Sequence, residues 1–232
     1  MMEIDQLPWA DIHTALQNRG FAHLPQLIGK EDCLALQALY PQPHLFRSII
    51  NMQCYRFGQG EYKYFGYPLP HLIQQLRQSM YAHLAPLANA WMRSLQIEMA
   101  YPPDHATFLQ QCHAFGQARP TPLLLQYQTG GFNTLHQDLY GNVYFPFQVA
   151  IALSQHGHDY EGGAWVLTEQ VPRAQSKAHV ITPQQGDAMI FTTNFRPVLG
   201  QRGYYRAHVR HGVSEVTRGH RYVLGIIFHD AQ

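Results

Sequence analysis

The spacing of apolar positions changes near residue 120, and that change divides the chain into two kinds of element. Before it the periodicity is helical. Trp9 to Arg19 is amphipathic at helical spacing and ends at Gly20, and Phe21 to Leu27 then reads as a short strand. Lys30 to Leu39 is a second helix, stopped by Pro41. Pro70 to Ser94 carries a long helical pattern with Pro86 inside it, where a kink or a break is expected. Asp104 to Phe115 is a further helix, with Asp104 as its N-cap.

After residue 120 the apolar residues fall into short runs between Gly, Pro and Asn: LLLQY, FNTLHQD, FQVAIAL, AWVLTEQ, AHVIT, DAMIFTT, YRAHVRHGV and RYVLGIIF. Eight such runs predict a sandwich, jelly roll or barrel. Helices followed by strands predict an α+β class in which the helices buttress one face of a β core. No internal repeat or low-complexity linker intervenes. Residues 1–232 therefore read as one domain, with 1–120 mainly helical support and 121–232 the β core.

Composition narrows the function classes. Only 13% of residues are charged, against roughly 25% in an ordinary soluble domain. The formal net charge is +1, so no global field draws the chain to nucleic acid or to a membrane surface; a nucleic-acid substrate would need a local patch. Cys33, Cys54 and Cys112 form no paired motif, which argues against a disulfide framework and a thiolate zinc site. The start, MMEIDQLPWADIH, has no apolar stretch of the signal-peptide kind, and the longest apolar run, Tyr222 to Phe228, is too short to span a bilayer. A cytoplasmic protein without a membrane partner is expected.

The candidate chemistry lies in the β half. In FNTLHQD, His136 and Asp138 are two apart, so on a strand an imidazole and a carboxylate project to one side. A third ligand from a distant strand would complete a two-His, one-carboxylate face for non-haem Fe(II), leaving positions open for oxygen and a co-substrate. With fifteen His and eight Asp, chance alone supplies about half a match to HxD, so the spacing of other residues has to carry the assignment. His211 is the best third ligand. If SEVTRG is a hairpin centred near Val216, His211 and Arg221 are cross-strand partners on one face. Arg221 would then hold the far carboxylate of a dicarboxylic keto acid; an exposed strand start is its other reading. His208 competes for the ligand role but should face the opposite way. His156, His158 and Asp159 precede Glu161-Gly162-Gly163 and read as a solvated loop.

The runs LLLQYQTGGFNTLHQDLYG, EGGAWVLTEQ, QQGDAMIF and HGVSEVTRGHRYVLGIIF, in that order, resemble the core of the Fe(II)/2-oxoglutarate dioxygenase superfamily. The resemblance implies a double-stranded β-helix, a distorted jelly roll. It implies Fe(II) on His136, Asp138 and His211, 2-oxoglutarate as co-substrate with its C5 carboxylate on Arg221, help from the Tyr127 hydroxyl, and O2 as oxidant. The implied reaction hydroxylates a C–H bond, with succinate and carbon dioxide as co-products. GEYKYFGYPLP, RPTPLLLQY, LHQDLYG and LGIIFHD also resemble a bacterial oxygenase family proposed to demethylate damaged nucleic-acid bases, in the manner of AlkB-type enzymes. His211 and Arg221 are ten residues apart, a spacing more like that of prolyl hydroxylases, and Leu125 and Ala164 depart from related patterns.

Two regions are candidates for choosing the substrate. Tyr55 to Tyr67, including Tyr64, would stack a flat substrate, close as a lid, or pack as an aromatic-rich loop on the core. Arg196 to Arg221 holds six Arg against one acid, Glu215, and makes Arg202 and Tyr204 substrate candidates. The leading expectation is a hydroxylase of a small molecule or a protein side chain. The alternatives are a nucleic-acid demethylase, a catalytically silent jelly-roll binding module and a cupin-like metalloenzyme without 2-oxoglutarate.

Overall fold

A computed structural model describes residues 4–138 and 141–232. Among the described residues the first half supplies helices α1 (Trp9–Arg19), α2 (Lys30–Gln37), α3 (His71–Ser94) and α4 (His105–Ala114). It also supplies strands β1 (Phe21–Leu24), β2 (Phe46–Asn51), β3 (Gly58–Gln59) and β4 (Glu61–Phe65). The second half comprises β5 (Leu123–Gln128), β6 (Phe132–His136), β7 (Phe147–Ala152), β8 (Tyr160–Gly162), β9 (Trp165–Gln170), β10 (Lys177–Ile181), β11 (Ala188–Thr192), β12 (Phe195–Gly200), β13 (Gly203–Val213) and β14 (Val216–Ile227). Each of the eight runs expected from the sequence is a strand. Helix α3 continues through Pro86, so the proline does not break it. Asp104 caps α4 by accepting from the Thr107 amide at 2.8 Å.

The strands form two facing antiparallel sheets, the arrangement of a double-stranded β-helix. One runs β1-β11-β7-β14-β5-β4-β2, with β8 on β14; the other runs β10-β9-β13-β6-β3, with β12 on β13. The first sheet is covered on its outer face by the helices. Ile73, Leu76, Met80, Leu84, Ala88 and Trp91 of α3 pack with Val149, Ile151, Ile190, Leu224 and Ile226 in one cluster. Each large aliphatic side chain fully buried there contributes roughly 1.5–3 kcal/mol. A strand buried on both faces is apolar at most successive positions, which is why β7 and β11 read as apolar runs, with Gln148 the polar exception in β7. The second sheet is exposed on its outer face, so β13 alternates instead: Ala207 and Val209 are buried while Arg206, His208 and Arg210 are exposed.

Two expectations are corrected. Residues 46–65 are not helical support: β2 and β4 extend the helix-backed sheet, and β3 joins the other. Nor do β13 and β14 pair as a hairpin. The chain crosses between sheets at Ser214 and Glu215, where Ser214 donates to Ala164 and Glu215 accepts from Gly163. Arg221 therefore faces Tyr127 across the β14–β5 ladder, while His211 pairs with His136 and Leu167. No described helix is long and apolar enough to cross a membrane.

A buried polar clamp fixes the end of β14 to α3. The Arg77 side chain is inaccessible; its Nε donates to the Ile227 carbonyl at 2.8 Å, and Nη2 reaches the Phe228 and His229 carbonyls at 3.1 Å and Asp230 Oδ1 at 2.8 Å. Burial pushes the Asp230 carboxyl up, but Arg77, with bonds from His113 and Tyr67, outweighs it and holds the group below its ordinary value. Arg77→Met should therefore lower stability by about 3–5 kcal/mol at neutral pH, because it leaves a buried carboxylate without its cation. Wild type keeps the Asp230 contribution above the unfolded value near pH 4 and loses it as pH falls through the lower folded value. The deficit of the variant should thus shrink between pH 6 and pH 3, as read by urea unfolding at each pH.

Candidate metal centre and its cavity

The two sheets enclose a cavity of about 270 Å³ lined by residues from both. His136 is the last residue of β6, and its Nδ1 lies 2.7 Å from the Thr134 carbonyl. A carbonyl only accepts, so Nδ1 carries the hydrogen and Nε2 keeps its lone pair for the cavity. Asp138 lies two residues on, past the end of the strand. Gln137 between them holds that turn in place, donating to the Asn194 side chain and to the Asn194 and Val209 carbonyls at 2.7–3.0 Å. His211 comes from β13 beside β6. Asp138 Oδ1 is 3.5 Å from His136 Nε2, Oδ2 is 3.2 Å from His211 Nε2, and one donor atom of each residue lies within 4.8 Å of the others.

Burial pushes the Asp138 carboxyl up, but the two imidazoles and the Gln148 amide outweigh it and hold the group far below the usual carboxylate range. For His136, burial and the neighbouring His211 lower the value against the pull of Asp138. The centre is thus one firmly ionised carboxylate and imidazole nitrogens turned inward, a donor set suited to a divalent first-row ion. The competing histidines lie elsewhere: His208 is on the exposed face of β13, and His158 is a solvated side chain bonded to Asp159 at 2.7 Å.

At the same cavity stands Arg221, only 1% exposed. None of its three guanidinium nitrogens makes a hydrogen bond among the described residues, and the hydroxyls of Tyr127 and Tyr160 are likewise buried without one. The guanidinium carbon lies 5.3 Å from the Tyr127 ring centre and 5.8 Å from that of Tyr160. Burial pushes the Tyr127 hydroxyl up to about 12 against the pull of Arg221, so it remains a donor at neutral pH. Gly163 makes room: at φ +59° a Cβ there would stand 2.8 Å from Arg221 Cδ. A buried cation flanked by two unused donors is a socket for an anion.

Of the substrate candidates, Tyr64 lines the cavity with Tyr62 on β4 and Phe57, and the Arg47 guanidinium stacks 4.6 Å over the Tyr64 ring. The segment around them is a strap between the sheets, since Gly58 pairs with Asn133 of β6 and Tyr62 with Leu125 of β5. Gly58 is needed there, because a Cβ would lie 2.2 Å from the Phe132 carbonyl. Arg202 and Tyr204 do not join the site. They sit at the exposed tip of the β12–β13 hairpin, seven residues from His211 in the case of Tyr204, or roughly 20 Å along the strand. The arginine excess is dispersed too: Arg196 pairs with Glu169 and Arg218 with Glu161.

Sequence reasoning missed Tyr160, Asn133 and Gln148, all at or beside the cavity. Gln148 had a signal, as the lone polar residue in the apolar run FQVAIAL. Tyr160 had none beyond its place before the Gly pair.

Residues 60–231 match the model of the Oxygenase-NA family, described as an oxygenase catalysing oxidative methylation of damaged DNA. Uncharacterised proteins of Mycobacterium tuberculosis strains CDC 1551 and H37Rv are each 46% identical over 164 residues, 71% of this chain and 70% of theirs. Among solved structures, a Pseudomonas putida prolyl-4-hydroxylase superposes with a TM-score of 0.55 at 14% identity, over 97% of this chain and 99% of its own. An oxidoreductase of the 2-oxoglutarate–Fe(II) oxygenase family from Burkholderia pseudomallei gives 0.55 at 15% identity, over 97% and 93%. At such identities the structural likeness speaks for the fold, and the family match carries the kinship. The chain belongs to the Oxygenase-NA family.

Proposed function

We propose that the chain hydroxylates a substrate C–H bond, with Fe(II) on His136, Asp138 and His211 and 2-oxoglutarate reaching from that ion to Arg221. The observation that carries this reading is the buried, unpaired guanidinium of Arg221, lining the same cavity as a His-Asp-His cluster. The residues fit both groups: the cluster supplies nitrogen and carboxylate donors, and Arg221 with the Tyr127 and Tyr160 hydroxyls supplies donors for a distal carboxylate. When bound, the iron and keto acid supply oxygen activation, with succinate and carbon dioxide as co-products.

The chain's own residues do the rest. Thr134 holds the His136 tautomer, Gln137 holds the turn between the ligands, and Arg221 orients the keto acid by its far end. Trp165, Met189 and Phe191 line an apolar part of the cavity and keep water from it. Tyr62, Tyr64 and Phe57 form an aromatic wall for the substrate.

A second reading concerns that substrate. The family description names damaged DNA, and a tyrosine wall backed by Arg47 is suited to stacking an alkylated base. Hydroxylation of an N-methyl group ends in loss of formaldehyde, so the same centre would act as a demethylase. Succinate release should be compared between N-methylated oligonucleotides, proline peptides and free amino acids; formaldehyde with the oligonucleotides alone would select the base, and turnover only with the others would reject it.

Two substitutions test the centre. Asp138→Ala should abolish both Fe(II) binding and the weak visible band expected when Fe(II) and 2-oxoglutarate are added anaerobically; retention of that band would remove Asp138 from the ligand set. Arg221→Ala should raise the KM for 2-oxoglutarate roughly 100-fold, equivalent to about 2.7 kcal/mol, while Fe(II) affinity stays within about twofold. An unchanged KM would take the keto acid away from Arg221.

A further inference from the structure

Gln148 is the second residue of β7 and 5% exposed, and its side chain enters the cavity from the helix-backed sheet. Its Nε2 is 2.5 Å from Asp138 Oδ2 and 3.3 Å from His211 Nε2. Both His136 and His211 belong to the opposite sheet. We propose that Gln148 is a positioning residue of the metal centre, holding the Asp138 carboxylate in its orientation toward His136 and His211. This rests on the metal-centre reading above.

Three observations carry it. Asp138 lies past the end of β6, and a carboxylate can offer a metal one oxygen or both. Gln148, by contrast, sits mid-sheet, paired with Phe191 on one side and Ile227 on the other. Its amide is therefore held rigidly, and only the nitrogen suits the 2.5 Å contact, since an amide oxygen there would oppose an ionised carboxylate. In that orientation Oδ2 lies 3.2 Å from His211 Nε2 and Oδ1 3.5 Å from His136 Nε2, so the carboxylate faces both imidazoles.

The choice of an amide follows from charge. Lysine or arginine at position 148 would pair with Asp138 and weaken the only anionic ligand of the triad. A carboxylate there would compete for the ion. A neutral donor orients the ligand and leaves its charge intact, the usual work of a group behind a metal ligand.

The test uses Gln148→Met, close in length but without a donor, and Gln148→Asn, whose amide falls one methylene short of Asp138. Co(II) binding is titrated by absorption, alongside the thermal midpoint of the metal-free protein. The expected result is a Co(II) Kd raised about 10–100-fold in either folded variant, with a shifted visible spectrum and a KM for 2-oxoglutarate near the wild-type value. A space-filling role for Gln148 would lower the thermal midpoint yet leave the affinity and spectrum as in wild type. That outcome, or Co(II) affinities within about twofold of wild type in both variants, overturns the positioning role alone. A wild-type protein that takes up no Co(II) overturns the metal-centre reading, and this role with it.

Discussion

A guanidinium shut away from water between two phenol rings is the constraint around which the cavity is built. Arg221 cannot give up its proton, so its charge stays wherever the fold puts it. The fold puts it on the inner face of β14, with Tyr127 opposite on β5 and Tyr160 reaching across from β8. Burial holds both phenols in their protonated, donating form even though Arg221 pulls the other way. Gly163 gives up its side chain to admit the arginine stem. Such an assembly is costly in isolation and makes sense as half of an ion pair whose other half arrives with a ligand.

The two sheets divide the work that follows. The helix-backed sheet is anchored on one side by the α3 row and by the Arg77–Asp230 clamp, so its inner face is rigid. It carries Arg221 and Gln148. The facing sheet is exposed on its outer side and carries His136 and His211 on neighbouring strands. The histidines of the cluster therefore lie on neighbouring strands of one layer, and the Gln148 amide reaches Asp138 from the other. That matters for precision, because the Gln148–Asp138 contact ties the carboxylate to the helix-backed layer.

This division also explains what the sequence disclosed. Strands β7, β11 and β14 were legible as apolar runs because both of their faces are buried, and β13 because only one is. His136 and Asp138 stood out by their spacing, His211 by its place relative to Arg221, and alternation along the strand set His208 aside. The inferred hairpin between His211 and Arg221 failed because equal distance from a turn does not require pairing. The chain needs only two residues, Ser214 and Glu215, to change sheets, and either geometry brings both side chains to one cavity. Strands β2 and β4 were illegible for a related reason. Their sequence, FRSIIN to EYKYF, mixes charge with aromatics because they lie toward one end of the helix-backed sheet, with Lys63 bonded to the Tyr40 carbonyl. Arg202 and Tyr204 were drawn in by local charge, which says nothing about reach along a strand.

Charge balance connects the two ends of the cavity. Among the described residues that line the cavity, Asp138 is the negative side chain and Arg221 the positive one, with Trp165, Met189 and Phe191 in the apolar lining. A divalent ion alone would add two positive charges to a weakly solvated space, and a dicarboxylate alone would add two negative ones. Either addition leaves a net charge in a medium where uncompensated charge is expensive. Together they cancel, each beside the side chain of opposite sign. On the proposed reading, charge balance favours joint occupancy over either group alone, and the aromatic wall, rather than a long-range field, would choose the substrate. A chain whose formal charge is +1 and whose arginines are mostly paired or dispersed fits that division.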